Sequence, residues 1–487
     1  MRLYPLAPAY DAGGIFELAV EPGRRFSVAI YRQGIGEALE FHCGILVEDR
    51  GAMDCDSVSG QWVLTSPRGR TATRCDAAWR WPSFRFRFDR ADATSGVYVA
   101  VAYEVRANGE PVRPLGRNCA AHEPLYGLPP DSRSMAMLVA RPPRPSASVA
   151  YIMPVATYQA YNSIGGGGFY HDPVRRKKPV TTVTLLRPGG GFGAQFGEPA
   201  DPYEPRSPRQ QFPHWDAKFV RWLQAKNIAC DFYSDLDLDD GDRLDLTQYR
   251  CVLSVGHHEY WSRRMRDRMA SFIANGGHYA IFSGNTCYRP IEFSRGSPDA
   301  PDLRVTRLAE NWPGHDESDL IGLSYGYGGG WWGEWRLLRG GWIRRERSAT
   351  GFRVEDASHW ALAGTELNNG DIFGAEDRLV GYEVDGLPPD PNGFHVLGMT
   401  SALNGWDVGG RGVFGVLQRA AGRGVQPGIV FNAGTTDWAR VLMDPQAESH
   451  AVVDRITSNV FERLLANPSN RDRQSVTAGL MTILPRT

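Results

Sequence analysis

Gly256-His257-His258-Glu259-Tyr260-Trp261 sets two imidazoles, a carboxylate and a phenol in consecutive positions. Imidazole and carboxylate are the side chains of proton transfer and metal binding. The run before them, 251–255, has the length and apolar composition of a buried strand. After them, Ser262 opens a stretch with apolar residues at Met265, Met269, Phe272 and Ile273, a helical spacing that Gly276-Gly277 ends. The motif is therefore expected at a strand-to-helix turn, and in open α/β sheets ligands bind just outside the carboxyl ends of strands. A purely structural role competes, namely a helix N-terminus whose dipole Glu259 complements. Four polar or amphipathic groups in a row exceed what a cap needs. A nucleophile elbow would present Ser or Cys here, and no histidine follows at HExxH spacing. Covalent acyl chemistry and a zincin helix are thus both disfavoured.

Two further stretches carry polar groups after strand-like runs. In Ser283-Gly284-Asn285-Thr286-Cys287-Tyr288, Asn285 is a candidate to polarise a carbonyl; an Asn/Gly turn is the structural alternative. Cys287 has no positive flank to activate its thiol. In Thr157-Tyr158-Gln159-Ala160-Tyr161-Asn162, followed by glycines 165–168 and Phe169-Tyr170-His171, the glycines allow close backbone approach to a ligand. Neither a GxGxxG nor a Walker pattern is present, which argues against a nucleotide. Tyr161 and Tyr170 are candidate phenolate ligands of a hard metal such as ferric iron, although a hydroxyl bonded to backbone is the commoner fate of a buried tyrosine.

The elements that position these groups are legible in outline. Short alternating runs at 16–20, 26–31, 38–47, 62–65, 84–88 and 97–105, separated by turn formers, predict an N-terminal β-sandwich over 1–125. A proline-rich stretch, 126–146, reads as a linker or a crossing strand. From 147 to 466 strand-like runs (149–155, 180–186, 228–233, 252–255, 279–283) alternate with helical ones (216–226, 262–275), which predicts a parallel three-layer α/β domain. Loop-rich insertions fall at about 300–393, including a Gly- and Trp-rich segment at 324–335, and 467–487 reads as a tail.

Composition bounds the function class. The 487 residues carry a net charge of −1, so nothing points to a polyanion such as nucleic acid. No apolar run approaches the roughly 18–20 residues of a membrane span. The opening Met1-Arg2-Leu3-Tyr4-Pro5 lacks the apolar core of a signal peptide. Seven cysteines without a CxxC pair argue against a disulfide framework or zinc ribbon and fit a reducing, cytoplasmic compartment. A Schiff-base lysine would have to be one of Lys177, Lys178, Lys218 and Lys226.

Taken together, Tyr158-Gln159-Ala160-Tyr161-Asn162 with the glycine run and Tyr170, Phe219-Val220-Arg221-Trp222-Leu223, Gly256-His257-x-Glu259-Tyr260-Trp261-Ser262, Ser283-Gly284-Asn285-Thr286, and Val430-Phe431-Asn432-Ala433-Gly434 with Asp437-Trp438 resemble the N,N-dimethylformamidase large (β) subunit family, in order and over about 147–465. The resemblance implies a three-layer glutamine-amidotransferase-like (flavodoxin-like) core behind the N-terminal β-sandwich domain. It also implies cleavage of a C–N amide bond in a small amide, and a mononuclear ferric iron held by two tyrosines and a glutamate. Residue by residue, Glu259 matches the glutamate ligand, His257 the site histidine, Asn285 the site asparagine, Phe431 a pocket phenylalanine and Tyr161 one tyrosine ligand. The family's Arg-Pro-Tyr pattern stands here as Arg187-Pro188-Gly189, which leaves Tyr170 or Tyr203 as the second tyrosine. Tyr158, His258 and Tyr260 are expected around the substrate pocket. A small partner subunit or a homo-oligomer is left open, as are another metal or none.

Three readings follow from the residues and the resemblance. In the first, Glu259 with tyrosines binds a hard cation, His257 relays a proton to the departing amine, and Asn285 orients the carbonyl. In the second, Glu259 and His257 or His258 act as base and acid without metal. In the third, the missing tyrosine marks a non-catalytic binding protein.

Overall fold

The computed structural model describes residues 2–34, 46–47, 56–58, 61–66, 68–69, 74–87, 94–106, 135–162, 165–170, 180–189, 212–297, 300–331, 335–338, 341–344, 351–391, 393–401, 410–420 and 426–466. The chain divides into two compact units, the first made of 1–245, 254–266 and 285–316, the second of 246–253, 267–284 and 317–487. Tyr203 and the segment 467–487 lie outside the described residues. Among the described residues no helix is long and apolar enough to cross a membrane.

Among the described residues the first unit opens with ten strands. They are β1 (Leu3–Pro5), β2 (Ala9–Asp11), β3 (Ile15–Val20), β4 (Arg25–Arg32), β5 (Leu46–Val47), β6 (Asp56–Val58), β7 (Gln61–Thr65), β8 (Ser83–Arg87), β9 (Gly96–Glu104) and β10 (Met135–Arg141). They form a four-stranded sheet, β1-β3-β8-β5, and a six-stranded sheet, β2-β10-β9-β4-β7-β6. Strict alternation sends Phe16, Leu18 and Val20 of β3 and Phe84 and Phe86 of β8 into one apolar cluster with Phe26, Val28 and Ile30 of β4 and Tyr98, Ala100 and Ala102 of β9. β10 falls within 126–146 and pairs antiparallel with β9, Met135 opposite Val101. That stretch therefore contributes a strand to the sheet as well as a connection.

The rest of the first unit is mixed α/β. β11 (Val149–Met153) is buried at every position and pairs in parallel with β13 (Cys230–Ser234), as a continuous apolar run predicts. β11 leads into α1 (Val155–Tyr161), a helix that the polar-looking sequence did not announce. α1 has no charged residue, and all seven side chains are buried. Its N-terminus lacks a cap from Pro154 and is closed instead by Asp235, whose Oδ2 accepts from the Ala156 amide at 2.6 Å. α2 (Asp216–Ala225) turns Phe219, Val220, Trp222 and Leu223 inward, and α3 (Asp235–Asp240) follows β13 with a Ser234/Asp237 capping box.

Two expectations are corrected here. Of 180–186 only Thr182–Thr184 (β12) is a strand, and it joins β18 (Ala300–Arg307), β17 (Arg289–Ser297) and β15 (Tyr260–Ser262) in a separate four-stranded sheet. The histidine turn also does not feed a helix directly. β14 (Cys251–His257) runs through His257, Tyr260–Ser262 forms β15, and α4 begins only at Arg263 and ends at Ala274. Glu259 thus precedes the helix by four positions and does not cap it. β15 forms because β17 offers a parallel partner, with Tyr260 opposite Arg289.

The second unit pairs β16 (His278–Gly284) in parallel with β27 (Val430–Asn432). It continues antiparallel through β26 (Val413–Leu417), β25 (Phe394–Met399), β22 (Phe352–Val354) and β23 (Ile372–Phe373). Around Phe282 its core gathers Phe431, Trp438 and Phe461, with ring centroids 5.2 to 6.1 Å away. The glycine- and tryptophan-rich segment lies in this unit, as helix Tyr325–Gly328 and β19 (Gly329–Trp331), which pairs with β24 (Tyr382–Gly386); β20 (Trp335–Leu338) pairs with β21 (Gly341–Arg344), and 332–334 lie outside the described residues.

Candidate active site

Glu259 lies in the two-residue step between β14 and β15 and is 2 % exposed. Backbone bonds from β17 and the loop before it fix the step: the Cys287 amide donates to the His258 carbonyl and the Arg289 amide to the Glu259 carbonyl, each at 3.0 Å. Gly256, at φ +69°, lets the chain turn under Trp215; a Cβ there would lie 2.6 Å from the Trp215 Cβ. Trp215 in turn meets the His257 ring edge-on at 6.1 Å.

The side chains of Tyr161, Tyr170, His257 and Arg289 approach the carboxylate. Tyr161 donates to Oε2 at 2.8 Å and Tyr170 to Oε1 at 3.0 Å. His257 Nε2 stands 3.5 Å from Oε2, and Arg289 Nε 3.5 Å from Oε1. The two phenol rings lie against each other at 4.5 Å. Tyr161 is buried, whereas Tyr170 is 48 % exposed, so the group opens to solvent on the Tyr170 side. Tyr170 also shares a 2.6 Å hydrogen bond with the hydroxyl of Tyr260. Burial and then the charge of Glu259 push the Tyr260 phenol well above its ordinary pKa, so Tyr260 stays a neutral hydroxyl. Burial lowers the Arg289 guanidinium's pKa, but the neighbouring negative charges, led by Glu259, outweigh it and the net shift is upward. Arg289 is held by Glu310 at 2.5 Å and lies over the Tyr288 ring.

His257 is buried, and its Nε2 has Asn285 Nδ2 at 3.2 Å. Asn285 occupies the left-handed region at φ +52° and Cys287 does so at +61°. Non-glycine residues held there cost about 1–3 kcal/mol each, and such strain clusters at functional sites. His258 points away, with Nδ1 3.2 Å from Ser254 Oγ. Burial, and then His257, lower its pKa to about 3, so it is neutral through the physiological range.

The remaining expected residues divide. Tyr170, one of two alternatives for the second tyrosine, reaches Glu259; Tyr203 lies outside the described residues. Gly189 is close-packed on Asn162 at φ +105°, where a side chain would strike the Asn162 amide group, so position 189 has no room for a phenol. Tyr158 bonds to Asp216, not to Glu259. Asp216 is fully buried, also accepts from Tyr151 at 2.7 Å, and is raised to about 7 by burial against the lowering effect of these two bonds. Phe431 packs in the core of the second unit. Arg289 and Trp215 escaped the sequence reading. Trp215 directly precedes α2 and Arg289 follows the Asn285 loop, and no pattern links either to Glu259.

The donor set suits a hard cation. It comprises two phenol oxygens and a carboxylate, with no sulfur. Each phenol reaches a different oxygen of the carboxylate, at 2.8 and 3.0 Å, as ordinary O–H···O hydrogen bonds. Among the described residues no group of three or more His, Cys, Asp and Glu side chains converges to hold a metal, so a cation here would depend on the phenols.

A comparison with curated proteins returns no match. The family profile described as N,N-dimethylformamidase beta subunit-like, C-terminal, matches residues 56–451 and so takes in both phenols, the histidine turn and Asn285. By that match over most of its length, the chain belongs to the N,N-dimethylformamidase beta subunit-like family.

Proposed function

We propose that the protein is a dimethylformamidase-like hydrolase that cleaves the C–N bond of a small amide, with Tyr161, Tyr170 and Glu259 holding a hard cation, iron in the first instance. The observation that carries this reading is the pair of phenols on the two oxygens of one buried carboxylate, in a member of this family. When bound, such a cation supplies Lewis acidity toward a carbonyl oxygen and a supply of hydroxide near neutral pH. His257 Nε2, beside Asn285 and facing Glu259, accepts a proton from the attacking water and returns it to the departing amine. Water adds to the carbonyl carbon, the C–N bond breaks, and the products are the acid and the free amine. The Asn285 amide orients the substrate carbonyl. Arg289, outside the phenol pair, offsets the charge of Glu259.

Metal analysis of the purified protein should find close to one iron per chain, and N,N-dimethylformamide or a related small amide should release its amine. Activity that persists in metal-free, chelator-treated protein would reject the metal. It would favour the alternative in which Glu259 and His257, 3.5 Å apart, act as an acid–base pair alone; Tyr161→Phe would then be nearly silent. The parallel pairs β11–β13 and β16–β27 support a glutamine-amidotransferase-like core. The family's description as a beta subunit supports a small partner subunit, which co-purification with neighbouring gene products would test.

A further inference from the structure

We infer that Arg187 is a positioning residue that shapes the glycine loop between Tyr161 and Tyr170 and so keeps both phenols on Glu259. Its effect on turnover rests on the function proposed above; its effect on the loop does not. The two phenols sit nine positions apart, at the end of α1 and beyond glycines 165–168. A glycine-rich connection loses much chain entropy on ordering, so something must hold it.

Arg187 has the contacts to do so. Its guanidinium is fully buried. Nη2 donates to the Gln159 carbonyl at 2.6 Å, in the last turn of α1. Nη1 lies within reach of three loop carbonyls, Asn162 at 2.9 Å, Gly165 at 3.2 Å and Gly167 at 2.5 Å. Nε donates to the Thr184 carbonyl at 2.9 Å, which ties the cluster to β12. One planar fork with five donors serves the Gln159 carbonyl at the helix end together with the Asn162, Gly165 and Gly167 carbonyls beyond it, where an ammonium presents a single compact centre. Burial draws the guanidinium down only to about 10, so it remains charged among carbonyl dipoles.

The loop is moulded to this group. A Cβ on Gly165 would lie 2.9 Å from Arg187 Nη1 and 2.6 Å from the Pro188 carbonyl oxygen. Asn162 Nδ2 donates to that same Pro188 carbonyl at 2.8 Å. The Phe169 amide returns to the Ala160 carbonyl at 2.8 Å, which delivers Tyr170 beside Tyr161.

The test compares wild type with Arg187→Lys in the full chain. In metal-free protein, hydrogen exchange of the 155–170 peptide should rise by about tenfold or more, while peptides covering 96–104 and 135–141 keep their protection. With iron added, the tyrosinate charge-transfer band should weaken or shift, and kcat for amide hydrolysis should fall about a hundredfold with KM within about threefold. A folded Arg187→Lys protein with wild-type exchange in 155–170 would overturn the inference. So would a loosened loop whose band and kcat are unchanged. If Arg187→Lys loses protection everywhere, Gly165→Ala decides: it keeps the guanidinium but its Cβ forces the loop and Arg187 apart, and it should show the same local loosening and spectral change, its silence being the refuting result. If wild type itself shows neither band nor amide turnover, the proposed function falls, and the exchange comparison alone judges the role of Arg187.

Discussion

Removing one phenol oxygen at a time separates what each tyrosine does for the fold from what it does for a cation. The Tyr161 hydroxyl meets Glu259 Oε2 at 2.8 Å on a side chain only 7 % exposed. In Tyr161→Phe that oxygen, on a carboxylate only 2 % exposed, would lose its 2.8 Å donor and keep His257 at 3.5 Å. A hydrogen bond to a charged group contributes about 1.5–3 kcal/mol, and a buried acceptor left short of partners costs the full amount. The Tyr170 bond is 3.0 Å long, but its side chain is 48 % exposed. On this solvent-facing side water takes the place of that hydroxyl in Tyr170→Phe, serving both Glu259 and the Tyr260 hydroxyl, and the cost should be about 1 kcal/mol or less. In a unit of this size about 1 kcal/mol moves Tm by roughly 2 °C. Calorimetry of metal-free protein should therefore place Tyr161→Phe roughly 3–6 °C below wild type and Tyr170→Phe within about 2 °C of it. Iron content should follow another order, since each substitution deletes one of three proposed oxygen ligands and both should fall far below wild type. Equal thermal cost for the two variants would refute the burial argument. Wild-type iron content in Tyr170→Phe would remove Tyr170 from the ligand set.

Three further outcomes follow from the same geometry. Asp216 titrates near 7 in the fold against 3.8 in the unfolded chain, so its stabilising share is fully present below about pH 4 and is lost as pH rises through 7; the roughly three-unit difference is worth about 4 kcal/mol. Thermal melts of Asp216→Asn should accordingly show a flatter pH dependence from pH 4 to 8 than wild type, and parallel curves would refute the assignment. Gly256→Ala should destabilise by about 3 kcal/mol, because it combines a left-handed backbone with a Cβ 2.6 Å from Trp215; a melt within 2 °C of wild type would contradict this. Asn285→Ala should lower kcat for amide hydrolysis about a hundredfold if its amide orients the carbonyl, and an unchanged kcat would take Asn285 out of the chemistry.

Much of the chain's local structure was legible because burial leaves a periodic trace. Alternation in 16–20 and 97–105 marked β3 and β9, whose inward residues do share one core. The apolar run at 251–255 marked β14, and the spacing of Met265, Met269 and Phe272 marked α4. The boundaries at the histidine turn depart from the local pattern, since β15 exists only through its pairing with β17 and no periodicity within three residues announces a distant partner. α1 was likewise unannounced, because a helix buried on all sides has no polar face to give it a period.

The candidate site divides along the same line. His257, Glu259 and Asn285 could be chosen from the sequence because each lies at or just beyond the end of a recognisable strand. Tyr158 and Tyr161 carry the same phenol three positions apart on one helix, and the family resemblance, not any local pattern, singles out Tyr161. The packed structure puts Tyr161 on Glu259 and sends Tyr158 to Asp216. The contact of Tyr170 with Glu259, and the packing of Phe431 in the core of the second unit, are likewise set by loop closure and long-range packing. Residue types and strand ends reside in the sequence because they are local. Which oxygen faces which is set by contacts between segments roughly ninety to a hundred positions apart, and those exist only once Arg187, β17 and Trp215 have drawn the segments together.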